Sequence, residues 1–292
     1  MDKIVTKAYA KINLGLDVIR RREDGYHEVK MVMQTVDLYD VLLVSKKEED
    51  TITISTQREE IPVNEDNLIY KAIKLMKDQY GFEGGVHVEL VKNIPIAAGM
   101  AGGSTDAAAA MRAVNELVEL NRPVEELEKH AVKIGADVPY CIQGGTVLSE
   151  GIGEVLTKLP NAPQCILLIA KPDIMVSTKY VYENLNLPEL KKHPDIDLMV
   201  EAIREGDAEK MLEPMDNVLA TVTEEKYEII KEIKQTMKRN GAIKAMMSGS
   251  GPTVFGIFET MVQAATAFDA IKEKDLAREI FISKFINPQE EE

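Results

Sequence analysis

The strongest signal for chemistry is a segment rich in glycine and alanine, PIAAGMAGGSTDAAAAMRAVNEL, at residues 95–117. Glycine tolerates positive φ and lets the backbone approach a ligand closely. The alanine-rich part predicts a helix, whose first turn would present N–H groups and a partial positive charge to that ligand. The order of residues is neither G-x-x-x-x-G-K-[ST] nor G-x-G-x-x-G. A phosphate-binding loop of another type is therefore favoured over a flexible loop before an ordinary helix.

Two charged residues stand in unusual sequence contexts. Lys11 lies within the strand-like run KAYAKINLGL, where a lysine interrupts the pattern of a packed strand. Asp137 lies between a helix that ends in glycine and an apolar run, VPYCI, that we interpret as a strand. Lysines usually face solvent, and such aspartates usually cap a helix or form a turn. Taken alone, neither residue is assigned a function.

Two turns carry residues that are suited to ligand binding. DGYHE places Tyr26 and His27 beside a hairpin tip, where they either flank an ordinary turn or offer a stacking face and a hydrogen-bonding ring to a base or sugar. MSGSGPTVF, at 247–255, places small residues between two short strands, and a surface turn is its simpler interpretation. The four histidines show no paired metal-ligand spacing and no G-x-S-x-G is present. Neither a histidine metal site nor an esterase is indicated.

The elements that must position these residues are predicted from the spacing of apolar residues and from glycines that end helices. Strands are grouped early and helices late, an order typical of α+β proteins. The predicted strands are 14–21, 27–36, 38–44, 51–56, 85–92, 165–170, 243–247, 253–258 and 278–286. The predicted helices are 66–81, 104–119, 123–135, 177–186, 195–205, 207–219, 223–239 and 260–273.

Size and composition narrow the class of protein. The 292 residues suffice for two domains or one large one, and 45% hydrophobic with 29% charged residues is a globular balance. The net charge of −14 argues against nucleic-acid binding, which needs a basic surface, but not against a small anionic ligand. The two cysteines indicate no disulfide framework, and no apolar run suits a signal peptide or a membrane span. We therefore expect a cytoplasmic protein that binds neither membranes nor nucleic acid.

Five segments together resemble one known superfamily. AYAKINLGL, DGYHE, PIAAGMAGGSTDAA, GADVPY and MSGSGPTVF follow one another in the order typical of GHMP kinases, and the resemblance extends from about residue 5 to 286. The glycine segment alone would indicate only the superfamily. AKINL, DGYH and GADVP narrow the resemblance to the kinases of the non-mevalonate isoprenoid pathway, whose substrate is 4-diphosphocytidyl-2-C-methyl-D-erythritol.

The resemblance implies a two-domain α+β fold with the active site in the cleft between the domains. The N-terminal domain, expected over 1–160, would bind ATP and contain a mixed α/β sheet with a left-handed crossover. The C-terminal domain, expected over 161–292, would be ferredoxin-like. The two prolines of LPNAPQ, at 159–164, favour that boundary. A monomer or a weak homodimer is expected.

The same resemblance implies that ATP is the co-substrate and that Mg²⁺ accompanies it, with Ser104 or Thr105 as a hydroxyl ligand and no dedicated carboxylate cage. The segment reads GMAGGST where the family often has GLGGGSS, so Ala101 removes one glycine. We expect this to alter individual contacts and not the reaction. The residues implied to bind ATP are the start of the glycine segment and an asparagine near the adenine: Pro95, Ile96, Ala97, Ala98, Gly99, Met100, Ala101, Gly102, Gly103, Ser104, Thr105 and Asn67.

Lys11 and Asp137 match the family's catalytic pair, and the acceptor is implied to be the 2-hydroxyl of the methylerythritol unit. A tertiary hydroxyl is a poor nucleophile until its proton is taken, and Asp137 would take it. Lys11 would keep that carboxylate ionised and balance the charge on the transferred phosphoryl group. The resemblance therefore implies a small-molecule kinase with these two residues at the centre of its chemistry.

Tyr26 and His27 match the family's residues that hold the cytosine end of the substrate, and Asn13 matches a substrate contact. Tyr182 is our candidate for a second aromatic wall on the cytosine, with Tyr180 as a close competitor. The partner is therefore expected to be a small molecule that carries a cytidine diphosphate group.

Three alternatives stay open at this point. The first is a GHMP kinase that acts on homoserine, mevalonate or a sugar, and DGYH argues against it because those substrates carry no base to stack. The second is a GHMP-fold sensor without turnover, which should have lost its catalytic base or lysine, whereas this chain has both. The third and weakest is a generic nucleotide-binding module.

Overall fold

The computed structural model describes residues 2–288. Its strands are β1 (Lys3–Arg21), β2 (His27–Lys47), β3 (Ile52–Thr56), β4 (Gly85–Val91), β5 (Thr146–Glu150), β6 (Val155–Lys158), β7 (Ile166–Lys171), β8 (Lys244–Met247), β9 (Val254–Phe258) and β10 (Glu279–Lys284). Its helices are α1 (Leu68–Tyr80), α2 (Gly102–Leu117), α3 (Val124–Ala131), α4 (Val138–Gln143), α5 (Thr178–Glu183), α6 (Ile196–Glu205), α7 (Ala208–Leu212), α8 (Ala220–Lys226), α9 (Glu228–Arg239) and α10 (Met261–Glu273). A short 3₁₀ helix spans Leu187–Glu189. Among the residues described, no helix is long and apolar enough to cross a membrane.

The chain forms two compact units, and both are discontinuous in sequence. Unit 1 consists of the described residues up to Ala10 together with Leu38–Ile96 and Ala101–Gln143. Unit 2 consists of Lys11–Asp37, Ala97–Met100 and the described residues from Gly144 onward. The strands β1 and β2 and the glycine segment therefore each contribute residues to both units.

Unit 1 is built on a parallel β3–α1–β4 arrangement. β3 and β4 pair in parallel, with Ile52 opposite Val86, and α1 is the crossover that parallel pairing requires. β4 also pairs antiparallel with the second half of β2, so the sheet is mixed as expected. α1 packs on α2 and buries the apolar residues whose spacing predicted it: Ile69, Ala72, Ile73 and Met76.

Unit 2 contains two sets of paired strands. The first half of β2 pairs with β5, and β5 with β6, all antiparallel. A separate antiparallel sheet has the order β10-β7-β9-β8, and α9 and α10 pack against it. If β7, β8, β9 and β10 are numbered 1 to 4 along the chain, their order across the sheet is 4-1-3-2. Helices precede strands 2 and 4 in the chain. This is the ferredoxin-like arrangement that the sequence led us to expect.

The limits 1–160 and 161–292 stay a prediction. In the compact units, residues 144–160 group with the later part of the chain, since β5 and β6 pair with the part of β2 that belongs to unit 2. The polar tail NPQEEE also predicts frayed residues, and its last four residues lie outside the described part of the chain.

Local chemistry explains where helices begin and end. Asp66 begins the predicted helix 66–81 and is a residue type that often caps helices, but Asn67 caps α1, because its side-chain oxygen accepts a hydrogen bond from the N–H of Ile69. Gly81 ends α1 in the left-handed region at φ +67°, as its position in the sequence predicted. Thr260 and Gln263 form a reciprocal capping box at the start of α10.

The prediction was wrong for the run VPYCIQ, which forms the helix α4 and not a strand. A short apolar run does not distinguish a strand from a buried helix by its spacing. Pro139 is tolerated there because it lies in the first turn, where a backbone N–H has no acceptor within the helix. The strands that follow, β5 and β6, were not predicted as separate elements.

Other boundaries also differ from the prediction. The expected helices 207–219 and 223–239 are three, α7, α8 and α9, because Tyr227 adopts an extended conformation between α8 and α9. β1 and β2 are continuous strands of 19 and 21 residues, longer than the pieces that their apolar patterns indicated. Buried polar residues, among them Lys11 and Asn13 in β1, interrupt those patterns.

Candidate active site

The glycine segment turns from the loop after β4 into α2. Gly99 has φ +72°, in the left-handed region that favours glycine. Ala97 and Ala101 also have positive φ, +50° and +57°, which costs a residue with a Cβ about 1–2 kcal/mol. Ala101 is the residue that replaces a glycine of the family pattern. Its backbone nevertheless takes a glycine-like conformation, so the replacement adds strain at this position.

The first turn of α2 has the features of an anion site. α2 starts at Gly102, so Gly102 and Gly103 belong to the helix, two residues before the predicted start. Gly103 is exposed, Ser104 is half-buried, and the α2 helix is 16 residues long. The first N–H groups of a helix have no acceptors within it and carry the positive end of its dipole. A phosphate placed there would meet free space, backbone donors and one hydroxyl.

A buried ion cluster lies behind this turn. Lys92 Nζ is 2.5 Å from a carboxylate oxygen of Asp40 and 2.5 Å from one of Asp106, and all three side chains are buried. Asp40 also accepts hydrogen bonds from the N–H groups of Asn93 and Ile94. Burial, and next the charge of Asp40, raise the pKa of Asp106 well above its usual value, against the opposing effect of Lys92. Within unit 1, the cluster therefore links the backbone just before the glycine segment, at Asn93 and Ile94, to Asp106 in the first turns of α2.

Two residues expected to contact ATP also make structural hydrogen bonds. The buried Thr105 hydroxyl donates to the carbonyl oxygen of Tyr9 at 2.7 Å. Asn67 accepts from the N–H of Ile69 at 2.8 Å and donates to the carbonyl oxygen of Pro62 at 2.6 Å. Both side chains therefore help to fix the start of a helix, and contact with the nucleotide stays a prediction for each.

Lys11 is a buried lysine and not one on a solvated face. Its side chain is 4% exposed, and its Nζ donates to Asn13 Oδ1 at 2.9 Å. Asn13 is fully buried and also contacts the sulfur of Met31 at 3.2 Å. The N–H of Lys11 donates to the carbonyl oxygen of Met100 at 3.2 Å. The structure thus brings two expected site residues together and connects them to the glycine segment within unit 2.

Asp137 belongs to unit 1 and directly precedes α4. It is half-buried, and its carbonyl oxygen accepts the N–H of Cys141 as the first hydrogen bond of that helix. The first turn of α4 therefore fixes the backbone at Asp137, and the Asp137 side chain stays partly exposed.

His27 and Tyr182 form an aromatic pair in unit 2. Their ring centroids are 5.1 Å apart with an interplanar angle of 33°. Tyr26, which directly precedes His27 in the sequence, is 61% exposed. Burial, and next the charge of Arg21, lower the pKa of His27, which favours the neutral ring with one donor and one acceptor nitrogen at neutral pH. These side chains offer a stacking face and hydrogen-bonding atoms in one place.

Tyr180 faces another environment. Lys226 Nζ lies 3.5 Å from the centroid of its ring, a cation–π contact, and both side chains line an open cavity of about 730 Å³. The aromatic residue that contacts His27 is therefore Tyr182 and not its competitor.

The structure adds residues that sequence analysis missed. Ser248, in the turn expected to be an ordinary surface feature, is fully buried and donates to the carbonyl oxygen of Gly99 at 3.0 Å. Asn217, which lies inside the predicted helix 207–219, is buried with its amide nitrogen and oxygen both hydrogen-bonded. The only sequence signal for Lys92 was its position three residues before PIAAGM.

Comparisons with known proteins identify the family of this chain. The family model for the GHMP kinases N terminal domain matches residues 67–145, and that for the GHMP kinases C terminal domain matches residues 199–275. GHMP kinases use ATP as their co-substrate. The 4-diphosphocytidyl-2-C-methyl-D-erythritol kinase of Lachnospira eligens is 54% identical over 99% of this chain and 100% of that protein. The protein of the same name from Lachnoclostridium phytofermentans is 51% identical over 98% of each chain.

Solved structures lead to the same family. A crystal structure of 4-(cytidine 5'-diphospho)-2C-methyl-D-erythritol kinase is similar with a TM-score of 0.82 and 30% identity, over 97% of this chain and 99% of that one. A homoserine kinase from Cytophaga hutchinsonii shares the fold, with a TM-score of 0.73 and 21% identity over 97% and 94% of the two chains. The expected fold and family are thus confirmed, and the chain belongs to the 4-diphosphocytidyl-2-C-methyl-D-erythritol kinases, small-molecule kinases of the GHMP superfamily.

Proposed function

We propose that this protein transfers the γ-phosphoryl group of ATP to the 2-hydroxyl of 4-diphosphocytidyl-2-C-methyl-D-erythritol, in the non-mevalonate route to isoprenoid precursors. The observation that carries the proposal is the identity of about half of all residues, over nearly the whole chain, with relatives named for that kinase activity. The arrangement of the predicted site residues within each unit supports it.

ATP is proposed to bind along residues 95–105. The N-terminus of α2 would hold its phosphates, because backbone donors and the helix dipole favour an anion there. The buried Lys92 cluster supports this by holding the backbone at Asn93 and Ile94, just ahead of the segment. Asn67 is proposed to lie near the adenine.

The chemical step is a single displacement at phosphorus. Asp137 accepts the proton of the 2-hydroxyl, whose oxygen forms a bond to the γ-phosphorus while the bond from that phosphorus to the bridging oxygen breaks and ADP leaves. Lys11 balances negative charge on the phosphoryl group during transfer. Asn13, hydrogen-bonded to Lys11, is proposed to orient the methylerythritol unit.

The cytidine end of the substrate is proposed to bind Tyr26, His27 and Tyr182. The pairing of His27 with Tyr182 supports this, since a base can stack on an aromatic face while a neutral imidazole donates one hydrogen bond and accepts another. Such contacts, remote from the reacting hydroxyl, help to align it.

Mg²⁺ is proposed to enter bound to ATP. In residues 2–288 no group of three or more His, Cys, Asp or Glu side chains is placed to hold a metal ion, so most ligands would be phosphate oxygens and water. Ser104 is the favoured protein ligand, because Thr105 donates its proton to Tyr9. When bound, the ion would neutralise phosphate charge.

The direct test is a coupled ADP-release assay with four acceptors: the cytidylated substrate, methylerythritol without the cytidine diphosphate, mevalonate and homoserine. We expect phosphorylation of the first and turnover near background with the others. Equal turnover of methylerythritol without cytidine would contradict the proposed role of the cytidine site. Preferred turnover of mevalonate or homoserine would contradict the substrate itself. Location in the cytoplasm, oligomeric state and the expected lack of nucleic-acid partners stay predictions.

The two neighbouring tyrosines provide a matched pair of variants. Tyr182→Ala is expected to raise the KM for the cytidylated substrate about tenfold or more, because aromatic stacking on a base contributes roughly 1–3 kcal/mol. Tyr180→Ala should leave that KM within about twofold, since its ring contacts Lys226. ATP affinity should be unchanged in both. Steady-state kinetics with each substrate varied will check this, and a larger KM effect in Tyr180→Ala would reverse the assignment.

A further inference from the structure

Residues 247–252, MSGSGP, form a buried turn between β8 and β9, which we call the Ser248 turn. Ser248 closes it, because its N–H donates to the carbonyl oxygen of Thr253 at 2.9 Å and its own carbonyl oxygen accepts from Gly251 at 2.9 Å. Gly249 and Gly251 have positive φ, +55° and +85°. The backbone of this turn is therefore tightly defined and requires glycine at two positions.

The side chain of Asn217 is hydrogen-bonded to the backbone of this turn. Its amide nitrogen donates to the carbonyl oxygens of Met247 at 2.9 Å and Gly249 at 2.7 Å, and its amide oxygen accepts from the N–H of Leu219 at 3.0 Å. The side chain is 2% exposed, and both amide hydrogens are used. Few other side chains could donate to two carbonyl oxygens from this position.

The backbone on either side of Asn217 is joined to β1. The N–H of Leu16 donates to the carbonyl oxygen of Asp216 at 3.0 Å, and the N–H of Val218 donates to the carbonyl oxygen of Leu16 at 3.1 Å. Asn217 is thereby fixed to the same strand that carries Lys11 and Asn13.

The other side of the Ser248 turn touches the glycine segment. The Ser248 hydroxyl donates to the carbonyl oxygen of Gly99 at 3.0 Å. The approach is so close that a Cβ on Gly99 would lie 2.4 Å from the carbonyl oxygen of Ser248. A Cβ on Gly249 would lie 3.0 Å from the carbonyl oxygen of Gly99 and 3.6 Å from Asn13 Oδ1. One buried turn therefore contacts both the nucleotide segment and a proposed substrate contact.

A second connection reaches the proposed cytidine site. Thr178, the first residue of α5, shares a hydroxyl hydrogen bond of 2.8 Å with Ser250. Thr223 donates to the carbonyl oxygen of Ser250 at 3.2 Å. Since α5 also carries Tyr182, the Ser248 turn is hydrogen-bonded to two parts of the proposed site, the glycine segment and α5.

We propose that Asn217 is a positioning residue, which acts through the Ser248 turn to hold Gly99 of the glycine segment in the shape that binds ATP. The proposal rests on the proposed function only in taking residues 95–105 as the ATP site. The amide nitrogen and oxygen of Asn217 are both engaged by protein backbone. The Asn217 side chain donates to two carbonyl oxygens of the Ser248 turn, and the Ser248 hydroxyl donates to the carbonyl oxygen of Gly99.

The test compares Asn217→Asp with the matched control Asn240→Asp. An ionised aspartate has the shape of asparagine but no donors, so it would turn oxygens toward the carbonyl oxygens of Met247 and Gly249. We expect the dissociation constant for ATP, measured by calorimetry, to rise about tenfold or more, with KM for ATP raised more than KM for the cytidylated substrate. Asn240, at the end of α9, donates to Thr236 and should leave ATP affinity unchanged.

The Ser248→Ala variant keeps the hydrogen bonds of Asn217 and removes only the hydroxyl bond to Gly99. It therefore tests the role of the turn in ATP binding if the Asn217→Asp variant does not fold. It should also weaken ATP binding, and the double variant should be less than additive because both act along one path. A lower melting temperature with unchanged ATP affinity in the folded variants would overturn the proposal. Failure of the wild-type protein to bind ATP would instead refute the proposed ATP site.

Discussion

The Asp137→Asn variant is expected to bind ATP and the cytidylated substrate normally, while its kcat falls by a factor of about 10²–10⁴. Asparagine keeps the size of aspartate and some of its hydrogen bonding but accepts no proton at neutral pH, and general base catalysis contributes a factor of that order. Asp137 provides the first backbone acceptor of α4 through its carbonyl oxygen, which the substitution preserves. Folding should therefore be nearly unaffected.

Single-turnover phosphoryl transfer is the measurement that isolates this step, with melting temperature as the check on folding. Asp173→Asn is a suitable control, because Asp173 is an exposed residue paired with Arg278 at 3.3 Å. Near wild-type transfer by folded Asp137→Asn protein would remove Asp137 from the mechanism. The alternative of a GHMP-fold sensor, which binds nucleotide and substrate without phosphoryl transfer, would then gain support.

Lys11→Met should lower kcat by about 10²–10³, because a buried donor aimed at developing charge contributes that much to a transfer reaction. Methionine keeps the length of the apolar stem and removes the charge and the bond to Asn13. Lys74→Met is the matched control, since Lys74 is exposed on α1 and pairs with Asp78. The control should retain full activity.

The combination of Lys11→Met with Asp137→Asn distinguishes a catalytic pair from two independent structural residues. Groups that serve one step give a double variant little worse than the worse single variant. Independent contributions would multiply instead. Loss of melting temperature in both single variants, with specific activity retained by the folded protein, would show that these residues stabilise the fold and do not catalyse.

The sequence predicted those parts of the protein that depend on local patterns. α1 follows from apolar residues at helical spacing and from Gly81, and α2 follows from an alanine-rich run after glycines. The order of five short motifs predicted the family. Each of these signals is contained within a few consecutive residues, so no tertiary contact is needed to interpret it.

Features that depend on distant contacts were not accessible in the same way. Lys11 looked like a surface lysine because its burial depends on parts of the chain far away in sequence, such as the backbone of Met100, whose carbonyl oxygen accepts the N–H of Lys11. Asn217 lay unremarked inside the predicted helix 207–219, since the two carbonyl oxygens that it holds lie 30 and 32 residues further along the chain. The preference for Tyr182 over Tyr180 rested on no contact until the ring of His27 was placed.

The discontinuous units have a consequence for the order of events during synthesis. Every segment of unit 1 has left the ribosome once residue 143 is free, whereas unit 2 needs strands up to β10. At typical elongation rates of about 5–20 residues per second, the missing part takes roughly 10 s or more to appear. Throughout that delay residues 11–37 have no completed unit to join, although they contain Ile12, Leu14, Leu16 and Val18, which are buried in the finished protein. We therefore expect this apolar strand to lack its final partners through the second half of translation, when a chaperone would be most useful to the nascent chain.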